Sequence, residues 1–141
     1  MGSMIESPQT IRASRDGVVH DATLTWWSEG VRWFVRVVSP ELEKIEASAD
    51  DAFEALCRVR EQLEPDRWRL GVAGAQVDVW PSGMARDQGG GLRAYRMAAG
   101  QVAGLVDTFE PVDPATVTTV AVQQAEVERV FGHRMRAPGS E

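Results

Sequence analysis

The sequence is poor in the residues that metal sites and nucleophilic centres use. Its 141 residues include one cysteine, Cys57, and two histidines, His20 and His133. One cysteine cannot form an internal disulfide or a cysteine-type zinc site, and two histidines without spaced partners make no metal motif. We therefore predict no metal and no cofactor, and the favoured interpretation is a non-enzymatic chain without catalytic residues. A Ser-His-Asp or Cys-His site assembled by the fold stays open as an alternative, because such triads are spatial rather than local in sequence. The low cysteine content is typical of a reducing cytoplasm.

Long apolar runs are also missing. No segment approaches the roughly 20 apolar residues of a membrane span, so no membrane association is expected. Residues 1–15 contain only scattered apolar side chains and no secretory core, and Met1-Gly2-Ser3 before Met4 is typical of an expression tag. We expect a cytoplasmic protein with a tag scar and flexible N-terminus at 1–15, a single domain at 16–132 and a flexible tail at 133–141.

The remaining composition is that of an ordinary globular domain, with 43% hydrophobic and 26% charged residues. Alternating apolar and polar residues predict three consecutive strands at 17–27, 31–38 and 42–47. The same pattern predicts further strands at 68–72, 76–80, 92–98 and 116–122. Segment 102–109 fits either a strand or a short helix.

The clearest predicted helix spans residues 49–63. Ser48 suits its N-cap, Asp51 three residues later resembles a capping box, and Pro65 ends it. An apolar stripe that includes Cys57 follows the helical period, and a short second helix is predicted at 123–131. The fold class is therefore α+β, an antiparallel sheet of about five to seven strands packed against one main helix with a short C-terminal helix.

The net charge of −6 is concentrated in one region. Between Glu41 and Asp66, nine acidic residues face three basic ones, a difference equal to the whole net charge. Such a surface repels nucleic acid and attracts basic proteins, although a solvated helix face gives the same pattern. The predicted partner-binding acids are Asp50, Asp51, Glu54 and Glu61.

Five tryptophans are many for this length. Trp26 and Trp27 are adjacent in a predicted strand and must point to opposite faces, so one of them is exposed or covered by a partner. We add both to the predicted partner-binding residues, whereas Trp33, Trp68 and Trp80 are expected in the core.

A glycine-rich loop, residues 81–91, is the second candidate site. Residues 89–94 formally match the Gly-x-Gly-x-x-Ala dinucleotide motif, but the preceding strand ends near Trp80 and βαβ repeats are missing. Arginines beside glycines can nevertheless bind a phosphate or carboxylate, unless Arg86 simply pairs with Asp87 and stiffens the loop. The predicted ligand-binding residues of this alternative are Ser82, Arg86, Asp87, Gly89, Gly90, Gly91 and Arg93.

The same loop carries a family resemblance. The segments that carry it are Trp80-Pro81-Ser82-Gly83-Met84, Arg86-Asp87, Gly89–Gly91 and Ala94-Tyr95. They resemble a recurring signature of small bacterial proteins, some of which are similar to immunity proteins of toxin systems. The resemblance implies a small acidic cytoplasmic inhibitor that binds a cognate toxin, and it assigns no residue a role.

Two hypotheses follow from the sequence. The first is an immunity-type inhibitor whose acidic surface binds a basic toxin domain. The second is a small-ligand or nucleotide-binding domain, enzymatic or not, that uses the loop at 81–91.

Overall fold

The computed structural model describes residues 6–81, 89–99 and 101–135. Its larger sheet is antiparallel, with five strands in the order β4-β3-β2-β1-β5. These strands are β1 (Gln9–Arg15), β2 (Val18–Glu29), β3 (Arg32–Ser39), β4 (Leu42–Ala49) and β5 (Trp68–Leu70). Three consecutive hairpins therefore build most of this sheet. The alternating sequence predicts two of them, β2–β3 and β3–β4.

A second antiparallel sheet has three strands in the order β6-β7-β8. Its strands are β6 (Val79–Trp80), β7 (Arg93–Ala98) and β8 (Gln101–Asp107). The α-helices whose bounds lie within the described residues are α1 (Ala52–Leu63) and α2 (Val120–Met135). The predicted α+β class with a main and a C-terminal helix is confirmed.

Helix α1 separates two hydrophobic cores, and eight of its twelve residues are buried. Leu56 and Val59 pack with the inner face of the five-stranded sheet. Phe53 and Cys57 pack with the three-stranded sheet and the start of α2. The strands divide into two sheets instead of the one predicted because α1 is apolar on two sides and each side needs a cover.

The N-terminal boundary expected at residue 15 is wrong for residues 9–15. They form β1, which pairs with β2 on one side and β5 on the other. Ile11 and Ala13 are buried in the main core. Within β1, only Ile11 and Ala13 alternate with polar residues, and this pattern is too short to predict a strand from the sequence. Residues 1–5, which include the predicted tag segment, lie outside the described residues.

The strand predicted at 116–122 is also wrong. The chain forms a 3-10 turn at Pro114–Thr116 and enters α2 at Val120. Side-chain caps override the β-branched composition here: Asp113 accepts a hydrogen bond from the N–H of Ala115, and Glu64 accepts one from the N–H of Val120. As a result α2 is longer than predicted at both ends and includes residues 133–135 of the expected tail.

Two smaller differences concern the three-stranded sheet. A turn closed by a hydrogen bond from the N–H of Val79 to the Gln76 carbonyl shortens the strand predicted at 76–80 to Val79–Trp80. The ambiguous segment 102–109 is a strand, β8.

Candidate functional site

The outer face of the five-stranded sheet, turned away from α1, carries an ordered aromatic pair. Trp27 of β2 lies opposite Phe34 of β3. Their rings stack nearly in parallel, with centroids 5.2 Å apart and an interplanar angle of 6°. The Arg36 guanidinium lies 4.9 Å from the Trp27 ring centroid, a cation–π contact. Both aromatic side chains are mostly buried but remain partly exposed.

Charged side chains flank this pair along both strand directions. Arg36 Nε lies 3.0 Å from Glu46 Oε1 on one flank, and Arg32 Nη1 lies 3.1 Å from Asp50 Oδ1 on the other. The indole Nε1 of Trp27 donates a hydrogen bond to Glu29 Oε2 at 3.1 Å. We call these residues the outer-face patch: Trp27, Glu29, Arg32, Phe34, Arg36, Glu46 and Asp50.

Strand register explains why these residues meet. Glu29 lies opposite Arg32, and Arg36 lies between Thr25 of β2 and Glu46 of β4. Residues two apart in a strand share a face, so the hairpins bring three rows together on one side: charged, aromatic, charged.

Trp26 points to the other side of the sheet, as its adjacency to Trp27 requires. It stacks on Phe109 with ring centroids 4.3 Å apart and packs against the main core. Trp26 therefore lies on the core side of the sheet in contact with Phe109, and Trp27 is the tryptophan on the outer face.

Asp51, another predicted partner residue, is a structural cap. It is 6% exposed, and its Oδ1 accepts a hydrogen bond from the N–H of Glu54 at 2.8 Å. The helix therefore begins at Ala52 with Asp51 as N-cap, and the predicted cap at Ser48 is wrong. A carboxylate buried in this way offers almost no surface to a partner.

Helix α1 exposes only a narrow polar stripe, because two of its sides are buried. Glu54 pairs with Arg58 at 3.6 Å across one turn. Glu61 is exposed, and no ion pair to it occurs within the described ranges. The four predicted acids thus do not form one surface: Asp50 joins the outer-face patch, Asp51 is buried, and Glu54 and Glu61 lie on the stripe.

The described end of the glycine loop packs on the N-terminus of α1. The Gly90 carbonyl accepts a hydrogen bond from the N–H of Ala52 at 2.7 Å. A Cβ on Gly90 would lie 2.7 Å from the Trp33 ring, and one on Gly91 would lie 2.7 Å from the Phe53 nitrogen. Both glycines also have positive φ, +66° and +76°. Close approach and backbone conformation together require glycine here.

Contacts within the protein already occupy N–H groups at the start of α1 that would otherwise bind a phosphate. An anion at a helix N-terminus binds its free N–H groups, but here Gly90 and Asp51 already accept hydrogen bonds from them. Arg93 is paired with Asp107 at 2.9 Å. Apart from its chain neighbours, no described atom lies within 4 Å of a Cβ built on Gly89. The predicted ligand residues Ser82, Arg86 and Asp87 lie outside the described residues. The described part of the loop thus functions as a cap.

The structure contains a buried polar network around Arg60 that the sequence analysis does not predict. The Arg60 guanidinium donates to Gln123 Oε1 at 2.7 Å and to the Thr118 carbonyl at 2.8 Å. Its Nε lies 3.9 Å from Glu64. Burial lowers the pKa of Arg60, although the neighbouring Cys57 and Glu64 act in the opposite direction. The signal in the sequence is an arginine within the apolar stripe of a predicted helix.

A depression of about 410 Å³ lies between β7 and α2. Its carboxylates are already paired: Asp78 contacts Arg96 at 3.0 Å and Glu126 contacts Arg129 at 2.7 Å. In the part of the chain that the structure describes, no three His, Cys, Asp or Glu side chains are grouped to hold a metal ion. Neither helix there has the length and apolar character of a membrane span. No protein-family model matches the sequence.

Proposed function

We propose that this chain is a non-enzymatic protein-binding domain whose partner docks on the outer-face patch. In the form that we favour, it is an immunity-type inhibitor that binds and neutralises a basic bacterial toxin domain. The observation that carries the proposal is the partly exposed Trp27–Phe34 pair on the face of the sheet that is turned away from α1.

The arrangement of the patch matches the energetics of protein interfaces. Binding energy concentrates in a few central residues, among which tryptophan and arginine are enriched, inside a polar rim that excludes water. Trp27 and Phe34 form such a centre, and the ion pairs of Arg32 and Arg36 form the rim. Since stacking and hydrogen bonds already order these side chains, binding costs little further side-chain entropy.

Charge favours a basic partner. The acids of the patch, Glu29, Glu46 and Asp50, outnumber its two arginines, and the Asp50 side chain is 94% exposed. Together with the net charge of −6, this potential would accelerate association with a positively charged surface. The toxin class itself rests on that charge and on the resemblance in the segment from Trp80 to Tyr95.

Capture from a lysate of the native host tests the surface. The baits are the wild type, Trp27→Ser, Asp50→Lys and the control Val122→Ser, which alters a side chain 50% exposed on α2. We expect the wild type and the control to retain the same basic protein. Trp27→Ser should reduce its affinity about 30-fold, the equivalent of a 2 kcal/mol hot spot.

Expression of the captured protein then tests the class of partner. It should arrest growth alone, and co-expression of the wild type, but not of Trp27→Ser, should restore growth. Equal capture by all baits would exclude the outer-face patch. A harmless captured protein would exclude the toxin role and leave the patch in place.

A further inference from the structure

Strand β8 is exposed along most of its length at the edge of the three-stranded sheet. It pairs with β7 on one side, and among the described residues no strand pairs with its other side. Residues 101–105 are all exposed, with Val102 54% and Leu105 56% accessible. Its outward backbone groups are thus available for another strand.

The other sheet edges are protected in ways that β8 is not. Edge strand β4 carries Glu43, Lys44 and Glu46, and the edge strands β5 and β6 have only three and two residues. Charge and shortness are the usual means by which proteins block edge-to-edge pairing. Strand β8 has seven residues and no charged side chain before Asp107.

We propose that β8 pairs antiparallel with β8 of a second copy of this chain. The two three-stranded sheets would then form one continuous six-stranded sheet about a two-fold axis, a closed arrangement that ends at the dimer. The exposed Val102 and Leu105 of each copy would be covered.

Charge distinguishes a second copy from a basic partner as the occupant. Two uncharged strands meet without like-charge contacts, even though each chain carries −6, because the excess acids at 41–66 lie outside the three-stranded sheet. A basic protein, by contrast, would gain no attraction from the strand Gln101–Val106. Apolar, uncharged β8 is therefore complementary to itself.

The expected dimer is weak. Seven extended residues span about 23 Å, and one strand pair with its flanking side chains stays below the roughly 1,200 Å² of a stable standard interface. We expect a dissociation constant on the order of 100 μM and a dimer that separates on dilution.

Sedimentation velocity from about 10 μM to about 1 mM tests the proposal. The average mass of the wild type should rise from 15.5 kDa towards twice that value. Val102→Lys and Leu105→Lys should remain monomeric. The matched control Val19→Lys, at a valine 48% exposed on β2, should associate like the wild type.

Hydrogen exchange of the wild type gives a second measurement that needs no variant. Amides of residues 101–107 should exchange more slowly at the high concentration than at the low one, with the outer-face patch unchanged. A 15.5 kDa monomer at every concentration would overturn the proposal, even if a foreign strand later proved to cover β8. So would a dimer that persists in the folded lysine variants or protects another region. The outer-face patch lies on the other sheet, so either proposal can fail alone.

Discussion

Two regions of the molecule, the Gly90–Gly91 segment that caps α1 and the outer-face patch, are both held by contacts within the protein. They differ in how much of their surface remains accessible to a partner. At the cap, Gly90 and Asp51 accept the hydrogen bonds of the helix N–H groups, and Trp33 closes over the glycine backbone. At the patch, Trp27 and Phe34 stack on each other yet remain partly exposed. The comparison shows that an unusual run of residues, such as the glycines, can be explained entirely by packing within the protein. A surface that binds a partner needs side chains that are held in place and still accessible.

The largest effect is expected inside the protein, at Arg60→Ala. The substitution leaves Gln123, Glu64 and two backbone carbonyls without their buried donor. Removing one partner of a buried charged network lowers the free energy of unfolding by about 3–5 kcal/mol. Denaturant unfolding measures this loss. A loss below about 1 kcal/mol would mean that water replaces the guanidinium and that this region is less closed than we describe.

A glycine pair tests the cap directly. Gly91→Ala adds a Cβ 2.7 Å from the Phe53 nitrogen at a φ of +76°. Strain and overpacking together should cost about 2–4 kcal/mol of stability. Gly89→Ala is the matched control, since no described atom beyond its chain neighbours lies within 4 Å of the added Cβ, and it should change stability by less than about 0.5 kcal/mol. Equal tolerance at both positions would contradict the capping role and return the loop to the list of candidate ligand sites.

Trp27→Ser should separate stability from binding. A cross-strand aromatic pair contributes about 0.2–1 kcal/mol to a sheet, and the cation–π contact of Trp27 with Arg36 adds about 0.5–1 kcal/mol. The free energy of unfolding should therefore fall by no more than about 2 kcal/mol. Thermal and denaturant unfolding measure this shift. A loss above about 3 kcal/mol would show that the pair serves mainly as core, which would remove the distinction between the two regions.

The smallest effect on stability is expected at the exposed ion pair of Asp16 and Arg67. This pair shows how much an exposed ion pair contributes outside the outer-face patch. Its two hydrogen bonds are 2.7 and 2.9 Å long, and the bond from Arg67 holds the pKa of Asp16 below its ordinary value. A lowered carboxyl pKa stabilises the fold above the unfolded pKa, and this contribution disappears as the pH falls through the folded value. The wild type should therefore exceed Asp16→Asn slightly in melting temperature at neutral pH. The two should converge in strong acid, and a constant difference would contradict the linkage.

The sequence predicts most of the strands and the central part of α1, because apolar residues recur at regular spacing over long segments there. It does not predict the two-sheet division, since Phe53 and Cys57 look like part of one apolar stripe although they pack on a separate core. The outer-face patch depends on register: only the β2–β3 pairing places Trp27 beside Phe34. Counting acids likewise cannot distinguish the exposed Asp50 from the buried Asp51.

The most direct test of our account is the dissociation constant of the captured basic protein for three chains at one fixed salt concentration. Trp27→Ser should bind about 30-fold more weakly than the wild type, and Val122→Ser should bind like the wild type. Equal affinity of Trp27→Ser and Val122→Ser would contradict the claim that the outer-face patch is the binding surface.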